Sequence, residues 1–421
     1  MKKYLKIVIR TFILLFMVCG VMYHGSVVNA DETDNAEKTI TVESGKSVKI
    51  SSAGDSVSLY LDIADNKTGT KVKLGCAVYE KNDKLHYFDY YDNNVCNISL
   101  NTGQYAIITS YGDSATFRYD AKKRISSSST SGKALHLVKL EPGKSVEISN
   151  NQGIGTDIKN TSSVGRNLDL ARYNSKGECE SFSKGTLYTS YLYNGETEVI
   201  TNKSKDTSET IYYPGSYDKV VSKASKENAI AEFELKPGKS IEITNNQGVG
   251  TSIENTTEAS NNIDWAVYDK NGVCDNLAKN SYYLSYLKDG YTEVVTNKST
   301  DKTDIIYYPN RYNKVVSKDT ASKALTEIEL KPGKSIEIIN NQGTGTNIER
   351  TKEADNNIDW AVYDTEGICD DFTKNAYYLS YLKDGYTEVL TNKSTDKTDI
   401  IYYPNRYNKV VSKDTASKAL T

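Results

Sequence analysis

Apolar and polar residues alternate over short stretches of this chain, which is the period of a half-buried β-strand. The alternation is clear at 239–243, and a strand-like run at 264–268 is followed by Asn271-Gly272, a dipeptide that favours a tight hairpin turn. Further strands are predicted at 282–287, 291–296 and 305–308. The last ends at Pro309, which lacks the amide hydrogen that a strand ladder needs. A sustained helical period is absent after the signal-like N-terminus, so we predict an all-β fold.

The strand pattern recurs with a period of 95 residues. All six prolines fall in two repeated motifs, Pro-Gly-Lys-Ser and Tyr-Tyr-Pro, and one cysteine recurs with the same spacing. The members are Pro142, Pro237, Pro332, Pro214, Pro309, Pro404, Cys179, Cys274 and Cys369. A fixed period is the sequence signature of a repeated structural unit. Because a unit of this length can bury its own core, we predict tandem antiparallel β-sandwich domains, jelly-roll or Ig-like, with about six to eight strands each.

A more divergent copy precedes the three regular ones, because 43–48 parallels 141–146 and Ala77-Val78-Tyr79 parallels Ala266-Val267-Tyr268. Residues 121–133, which follow this copy, are rich in serine and lysine and are predicted to belong to a flexible linker. The predicted parts are a signal peptide, a divergent sandwich, the linker and three regular sandwiches, at 1–30, 38–120, 121–136, 137–231, 232–326 and 327–421. Residues 282–326 and 377–421 differ only at Val295 and Leu390, which indicates recent duplication. An array that ends at the last residue and a truncated product of a longer protein both fit this pattern.

The N-terminus has the three-part plan of a secretory signal peptide. Basic residues precede a short apolar run at 11–22, and small residues lead to a predicted cleavage between Ala30 and Asp31. An uncleaved anchor needs a longer apolar run of about 20 residues, and a lipidated Cys19 needs a smaller residue before it than Val18. Removal of the segment takes the formal net charge from −3 to −7, through the loss of Lys2, Lys3, Lys6 and Arg10. We expect an exported protein of Gram-positive type, secreted or attached to the cell surface, with no membrane span in the mature chain.

One hairpin of the first copy, Leu100-Asn101-Thr102-Gly103-Gln104-Tyr105-Ala106-Ile107-Ile108, resembles the Leu-x-x-Gly-x-Tyr hairpin of bacterial pre-peptidase C-terminal (PPC) domains. The strands that contain Gly45-Lys46-Ser47-Val48 and Ala77-Val78-Tyr79 precede it in the order of that family. The resemblance implies a jelly-roll-like β-sandwich appended to a secreted enzyme or a surface protein, and in some relatives tyrosines that bind extracellular polymers. In the third copy Gly290-Tyr291 puts the tyrosine one position early, so the resemblance is carried by the first copy.

The residues capable of catalysis or metal binding form no motif with the required spacing. His86 and His136 stand apart from other zinc ligands and are expected at the surface. The segment 269–272 offers oxygen ligands without the glutamate of an EF-hand, so it is interpreted as a hairpin turn, with calcium as the alternative. The glycine loop 245–251 lacks the Lys-Ser of a phosphate-binding loop and is interpreted as a turn. We expect no catalytic residue and no cofactor, and an enzyme that uses carboxylates alone is the weakest alternative.

Five cysteines remain after export. Cys179, Cys274 and Cys369 occur once per copy, so they are expected as small buried hydrophobes, with a reactive thiol or an intermolecular disulfide as the alternative. Cys76 and Cys96 belong to the same copy, and a disulfide between them is a hypothesis. Alkylation of both in the unreduced exported protein would disprove that bond.

Tyrosine occurs 33 times, and a cluster of it recurs near the end of each regular copy. Neighbouring tyrosines in a strand face opposite sides, so one of each pair is expected in the core and the other as an exposed ring that stacks on a sugar or packs on a peptide. The alternative is that tyrosine simply suits strands. The candidate ligand-binding residues are Tyr212, Tyr213, Tyr217, Tyr307, Tyr308, Arg311, Tyr312, Tyr402, Tyr403, Arg406 and Tyr407.

These observations favour a non-enzymatic, adhesion-like repeat protein that binds an extracellular polysaccharide or a matrix or host protein. Nucleic acid is disfavoured, because a chain of net charge −7 does not indicate the positive groove that a nucleic acid requires. The alternative is a structural spacer, or an accessory-domain fragment of a larger surface protein or secreted hydrolase.

Overall fold

The computed structural model describes residues 37–61, 72–92, 96–216, 219–282, 284–309, 314–377, 379–406 and 408–420. Within these ranges every regular element is a β-strand and the sheets are antiparallel, which confirms the predicted all-β fold. A helix long and apolar enough to cross a bilayer does not occur in these ranges. Two residues of the predicted signal cleavage site and four of the candidate ligand-binding residues lie outside these ranges. They are Ala30, Asp31, Tyr217, Arg311, Tyr312 and Tyr407.

Unit 1 spans 37–130 and forms two sheets. Its strands are β1 (Glu37–Val42), β2 (Ser47–Ser52), β3 (Val57–Leu61), β4 (Leu74–Tyr79), β5 (Leu85–Tyr91), β6 (Asn97–Leu100), β7 (Tyr105–Ser110), β8 (Ala115–Asp120) and β9 (Ile125–Thr130). A four-stranded sheet has the order β1-β8-β3-β6, and a five-stranded sheet has the order β5-β4-β7-β2-β9.

Units 2, 3 and 4 span 135–225, 230–320 and 325–415 and have ten strands each. Unit 2 has β10 (Leu135–Leu140), β11 (Ser145–Asn150), β12 (Thr156–Asp157), β13 (Lys159–Asn160), β14 (Leu168–Tyr173), β15 (Cys179–Thr186), β16 (Tyr191–Leu192), β17 (Thr197–Asn202), β18 (Glu209–Pro214) and β19 (Val220–Ser225). Unit 3 has β20 (Ile230–Leu235), β21 (Ser240–Asn245), β22 (Thr251–Ser252), β23 (Glu254–Asn255), β24 (Ile263–Tyr268), β25 (Cys274–Ser281), β26 (Tyr286–Leu287), β27 (Thr292–Asn297), β28 (Asp304–Pro309) and β29 (Val315–Thr320). Unit 4 has β30 (Leu325–Leu330), β31 (Ser335–Asn340), β32 (Thr346–Asn347), β33 (Glu349–Arg350), β34 (Ile358–Tyr363), β35 (Cys369–Ala376), β36 (Tyr381–Leu382), β37 (Thr387–Asn392), β38 (Asp399–Pro404) and β39 (Val410–Thr415).

Units 2, 3 and 4 repeat one arrangement of three sheets. In unit 3 the five-stranded sheet has the order β25-β24-β27-β21-β29, the three-stranded sheet has the order β20-β28-β23, and β22 pairs with β26. The central pair of the large sheet sets Ile241 opposite Val295 and Ile243 opposite Glu293. Among the described strands every pairing stays inside one unit, so each unit closes its own sheets.

The core of each unit lies between its sheets, and strand β24 shows how the sequence builds it. Ile263, Trp265 and Val267 alternate along the strand and pack in the core of unit 3. The intervening Ala266 and Tyr268 face the opposite side and are buried as well, in a second cluster that contains residues of unit 4. The strand is therefore buried on both faces, because the next unit covers the outer one.

The segment 121–136 is not a flexible linker, because strand β9 lies within it. Ser126 pairs with Ser51 and Ser129 with Val48 in the edge position of the large sheet. A strand ladder uses backbone groups, so a run of serines can form an edge strand without apolar side chains. The units are instead separated by short joints at 131–134, 226–229 and 321–324, and the later units begin two residues before the predicted boundaries.

Candidate functional site

One tyrosine of each Tyr-Tyr-Pro motif lies in the core, as strand alternation predicts. Tyr213, Tyr308 and Tyr403 are buried in the cores of their own units. The hydroxyl groups of Tyr213 and Tyr308 lie 3.3 Å from the hydroxyl oxygens of Ser222 and Ser317. These three rings are structural.

The other tyrosine, which is the first residue of each motif, packs on the preceding unit. Tyr212 belongs to the apolar cluster between units 1 and 2, Tyr307 to that between units 2 and 3, and Tyr402 to that between units 3 and 4. The rings that were expected to meet a ligand are therefore covered, wholly or in part, by a neighbouring unit. Strand periodicity gives the side that a residue faces, and it contains no signal for what lies on that side.

The joint between units 1 and 2 is apolar and aromatic. Tyr90 lies 5.7 Å from the ring of Tyr212 and 6.3 Å from that of Tyr111, and Leu137 packs in the same cluster. The hydroxyl of Tyr212 donates to Oδ1 of Asp89 at 3.0 Å. Burial, with the nearby Asp89 carboxylate, raises the pKa of the Tyr212 hydroxyl.

The joint between units 3 and 4 places a glutamate between two lysines. Oε1 of Glu327 lies 2.7 Å from Nζ of Lys279 and 2.7 Å from Nζ of Lys298. Burial would raise the pKa of the Glu327 carboxyl, but hydrogen bonds from the two lysines hold it below its ordinary value. The joint between units 2 and 3 repeats the arrangement with Lys184, Lys203 and Glu232. In the joint between units 1 and 2, Tyr90 and Tyr111 replace the two lysines and Leu137 replaces the glutamate. Where the charged residues are lost on one side of the joint, they are therefore lost on the other side as well.

Arg406, a candidate ligand-binding residue, lies in the joint between units 3 and 4. Its Nε and Nη2 donate to the carboxylate of Glu242 at 3.2 and 2.8 Å, and its backbone amide donates to the hydroxyl of Tyr268 at 3.1 Å. A bidentate pair of this kind fixes orientation as well as charge. The first joint has Lys49 and Ser216 at these positions, and there the Tyr79 hydroxyl donates to Ser216. The first joint therefore carries a different matched set of residues from the joint between units 3 and 4.

A different tyrosine is exposed in each regular unit. Tyr191, Tyr286 and Tyr381 are 43 %, 62 % and 51 % exposed, at an interval of 95 residues. Each ring lies against a glycine of the preceding loop, namely Gly155, Gly250 and Gly345. A Cβ added to Gly250 would lie 2.2 Å from the hydroxyl oxygen of Tyr286, so only glycine leaves room for the ring. We call each tyrosine with its glycine a tyrosine platform.

Hydrogen bonds inside the loop hold the platform in place. Nδ2 of Asn245 donates to the carbonyl oxygens of Val249 and Leu287 at 2.8 and 2.9 Å. The amide of Gly248 donates to Oδ1 of Asp289 at 2.6 Å. Equivalent bonds from Asn150 and Asn340 hold the loops of units 2 and 4. The ring is thus exposed on a fixed support, which lowers the entropy cost of a contact with a ligand.

In unit 4 the platform forms one side of a small pocket. The pocket has a volume of about 280 Å³, and its walls include Tyr377, Tyr381 and Lys352. Nζ of Lys352 lies 4.3 Å from the centre of the Tyr377 ring. Two exposed aromatic rings beside a cation offer stacking faces and a hydrogen-bond donor, a combination that suits a sugar hydroxyl or a peptide carbonyl.

The contact of ring and glycine has a measurable consequence. Gly250→Ala should lower the free energy of unfolding of unit 3 by roughly 0.5–1 kcal/mol, because the new methyl group displaces the exposed Tyr286 ring from its contact with the loop. In a Tyr286→Ala background the same change should cost almost nothing. A double-mutant cycle by urea unfolding measures this coupling. Additive effects would show that the ring does not rest on the glycine.

The remaining polar candidates stay within local hydrogen bonds. Nδ1 of His86 lies 3.0 Å from Oε1 of Glu80. The carboxylate of Asp269, the calcium alternative, accepts from the amides of Asn271 and Val273 at 2.8 and 2.9 Å, which is the pattern of a turn. In the described ranges no group of three His, Cys, Asp or Glu side chains is placed to hold a metal ion.

The five cysteines of the described ranges have different surroundings. Cys76 and Cys96 are both buried in the core of unit 1, and burial raises the pKa of Cys96 to about 12. The disulfide between them stays a prediction. Cys274 is buried where unit 4 covers it, whereas Cys369, at the same position of unit 4, is exposed. The expectation of a buried hydrophobe thus holds for Cys274, holds in part for Cys179, which is half-buried beside unit 3, and is wrong for Cys369, which no following unit covers within the described residues.

Comparison with protein-family models gives no match, and comparison with curated proteins gives none either. The resemblance to PPC domains therefore stays an expectation from one hairpin. The features of the described structure that bear on function are the exposed platforms and the matched joints.

Proposed function

We propose that the chain is an exported, non-enzymatic repeat protein that binds an extended extracellular polymer, a polysaccharide or a matrix or host protein, through its tyrosine platforms. The observation that carries this proposal is the recurrence of an exposed ring on the same hydrogen-bonded loop in units 2, 3 and 4. A tyrosine ring offers a large rigid face at low entropy cost, together with a hydroxyl that stays in water.

Repetition raises the strength of such binding. The joints between units 2 and 3 and between units 3 and 4 use the same positions, so the platforms are presented at regular intervals. A polymer with a repeating epitope can occupy several platforms, and each further contact is intramolecular. Weak single contacts then add up to firm adhesion.

A second candidate function is that of a structural spacer, or an accessory part of a larger surface protein or secreted hydrolase. The matched joints favour it, since Arg406 with Glu242 and Glu327 with its two lysines restrain the angle between units. A spacer needs the joints and has no need of exposed rings.

The two functions are separated by a glycan and matrix-protein array probed with the full chain. Replacement of all three platform tyrosines by alanine should abolish the array signal, because the stacking faces are lost. The matched control replaces Val221, Val316 and Val411, three apolar residues that are also exposed once per unit, and should leave the signal unchanged. An equal signal from native chain and tyrosine variant would overturn the platform proposal, and the absence of any signal would favour the spacer.

A further inference from the structure

Units 1, 2 and 3 each have a face that the next unit covers, and within the described residues no unit covers the corresponding face of unit 4. This end face comprises Tyr363, Cys369, Phe372, Lys374 and Glu337, on strands β34, β35 and β31. Phe372 is 59 % exposed. At the same position of unit 2, Phe182 is partly buried and its ring lies 6.1 Å from that of Tyr307 of unit 3.

The chain already forms the start of a further joint on this face. The amide of Ala419 donates to Oγ1 of Thr391 at 2.8 Å, and Ala419 is buried against Ala361 and Val389. The amide of Ala324 makes the same bond with Thr296 at 2.7 Å at the beginning of unit 4. The end face thus binds the joint segment as the covered faces do.

The charges of the end face match those of the covered face of unit 3. Lys374 and Lys393 stand at the positions of Lys279 and Lys298, and Glu337 stands at that of Glu242. In unit 3 these residues bind Glu327 and Arg406, which belong to the following unit. The two lysines and the glutamate of the end face therefore complement one glutamate and one arginine on an incoming surface.

We propose that the end face is a docking surface for a further copy of the repeat of the same type as unit 4, with a glutamate at the position of Glu327 and an arginine at that of Arg406. The leading faces of units 1 and 2 do not fit, because Thr39 and Leu137 replace that glutamate. The end face continues the pattern of the joint between units 3 and 4, in which the residues at the same positions make these contacts. The face therefore selects its partner by charge as well as by shape.

Cys369 reports on the docking, because it is exposed, whereas Cys274 is 8 % exposed in the covered face of unit 3. A copy of residues 327–421 is joined after Thr421 of the full chain, with the cysteine of the added copy replaced by serine. The alkylation rate of Cys369, followed by peptide mass spectrometry, should fall at least about tenfold, because modification then requires opening of the joint. An unchanged rate would overturn the proposal.

Two matched controls test the charge rule. An added copy of residues 137–231, again without its cysteine, has the leading face of unit 2 and should leave the alkylation rate of Cys369 within about twofold of that in the native chain. A charge-reversed version of the added unit-4 copy, with Glu327→Lys in that copy, should restore most of the reactivity. Both controls keep the strand pairings of units that already fold in the chain. Equal protection by all three copies would overturn the selection by charge.

Discussion

Replacement of Glu198, Glu293 and Glu388 by glutamine is expected to remove a loss of stability that the native chain shows between about pH 5 and pH 8. Each carboxyl is buried inside its unit, and those of Glu293 and Glu388 accept a hydrogen bond from a serine hydroxyl at 2.9 and 3.0 Å. The second oxygen of each has no hydrogen-bond partner among the described residues. Burial disfavours the charged form and raises the pKa of Glu198 and of Glu293 to about 7, and that of Glu388 to about 8.

The sign follows from proton binding. A carboxyl whose pKa is higher in the folded than in the unfolded chain binds its proton more tightly when folded, so the folded chain is favoured at low pH. The contribution is fully present below the unfolded pKa of about 4.5, falls as the pH rises to about 7 or 8, and is constant above that. At roughly 1.4 kcal/mol per pKa unit the loss is about 3–5 kcal/mol in each unit. In unit 2 Arg172 opposes it, because its charge favours ionised Glu198.

Urea unfolding at pH 5 and pH 8 measures this effect. The triple glutamine variant should lose the decline between the two values and be more stable than the native chain at pH 8. A control variant with the exposed Glu234 and Glu329 changed to glutamine should keep the decline. A native chain that is equally stable at both pH values would show that these carboxyls are not isolated from water.

Arg350→Ala is expected to destabilise unit 4 by about 3–5 kcal/mol, the cost of leaving one member of a buried ion pair alone. The guanidinium of Arg350 and the carboxylate of Asp399 form an ion pair with no exposed side-chain surface. Nη2 of Arg350 also donates to the carbonyl oxygen of Ala376 at 2.9 Å, and Asp399 accepts from the hydroxyl of Thr351 at 2.7 Å. Loss of the arginine would leave the aspartate buried beside a cavity.

The chain supplies its own control for this site. In unit 3 the corresponding residues are Asn255 and Asp304, and Nδ2 of Asn255 donates to Oδ2 of Asp304 at 2.8 Å. Arg350→Asn should therefore cost clearly less than Arg350→Ala, since it reproduces an arrangement that the repeat already contains. Differential scanning calorimetry of the two variants gives the comparison. Equal destabilisation would mean that lost packing of the arginine stem, and not the unpaired aspartate, sets the cost.

The strand pattern and the 95-residue period were sufficient to predict the fold class, because both depend on local alternation and on self-similarity. The predicted linker failed because Ser126–Ser129 has no apolar alternation, and the backbone pairing that makes it an edge strand depends on β2, far away in sequence. A similar dependence on distant contacts holds at the candidate ligand-binding residues: Tyr212 and Arg406 are polar residues suited to ligands, and only the arrangement of units shows that they contact neighbouring units.

The platforms had a sequence signal that is visible in retrospect. Gly250 and Tyr286 recur at the same interval in every regular unit, as Gly155 and Tyr191 do in unit 2. Neither residue predicts a site by itself, because glycine is common in turns and tyrosine is common in strands. Their contact spans more than thirty residues of chain and arises from the pairing of β22 with β26, which local patterns do not contain.

Binding through the tyrosine platforms is tested by the dissociation constant for a polymer ligand, measured as the platforms are removed one at a time. Full chains with one, two or all three of Tyr191, Tyr286 and Tyr381 replaced by alanine are titrated against a ligand that the array identifies. We expect stepwise weakening, by about tenfold for each lost platform, because each contact contributes to a multivalent complex. A dissociation constant that stays the same when all three rings are gone would contradict it.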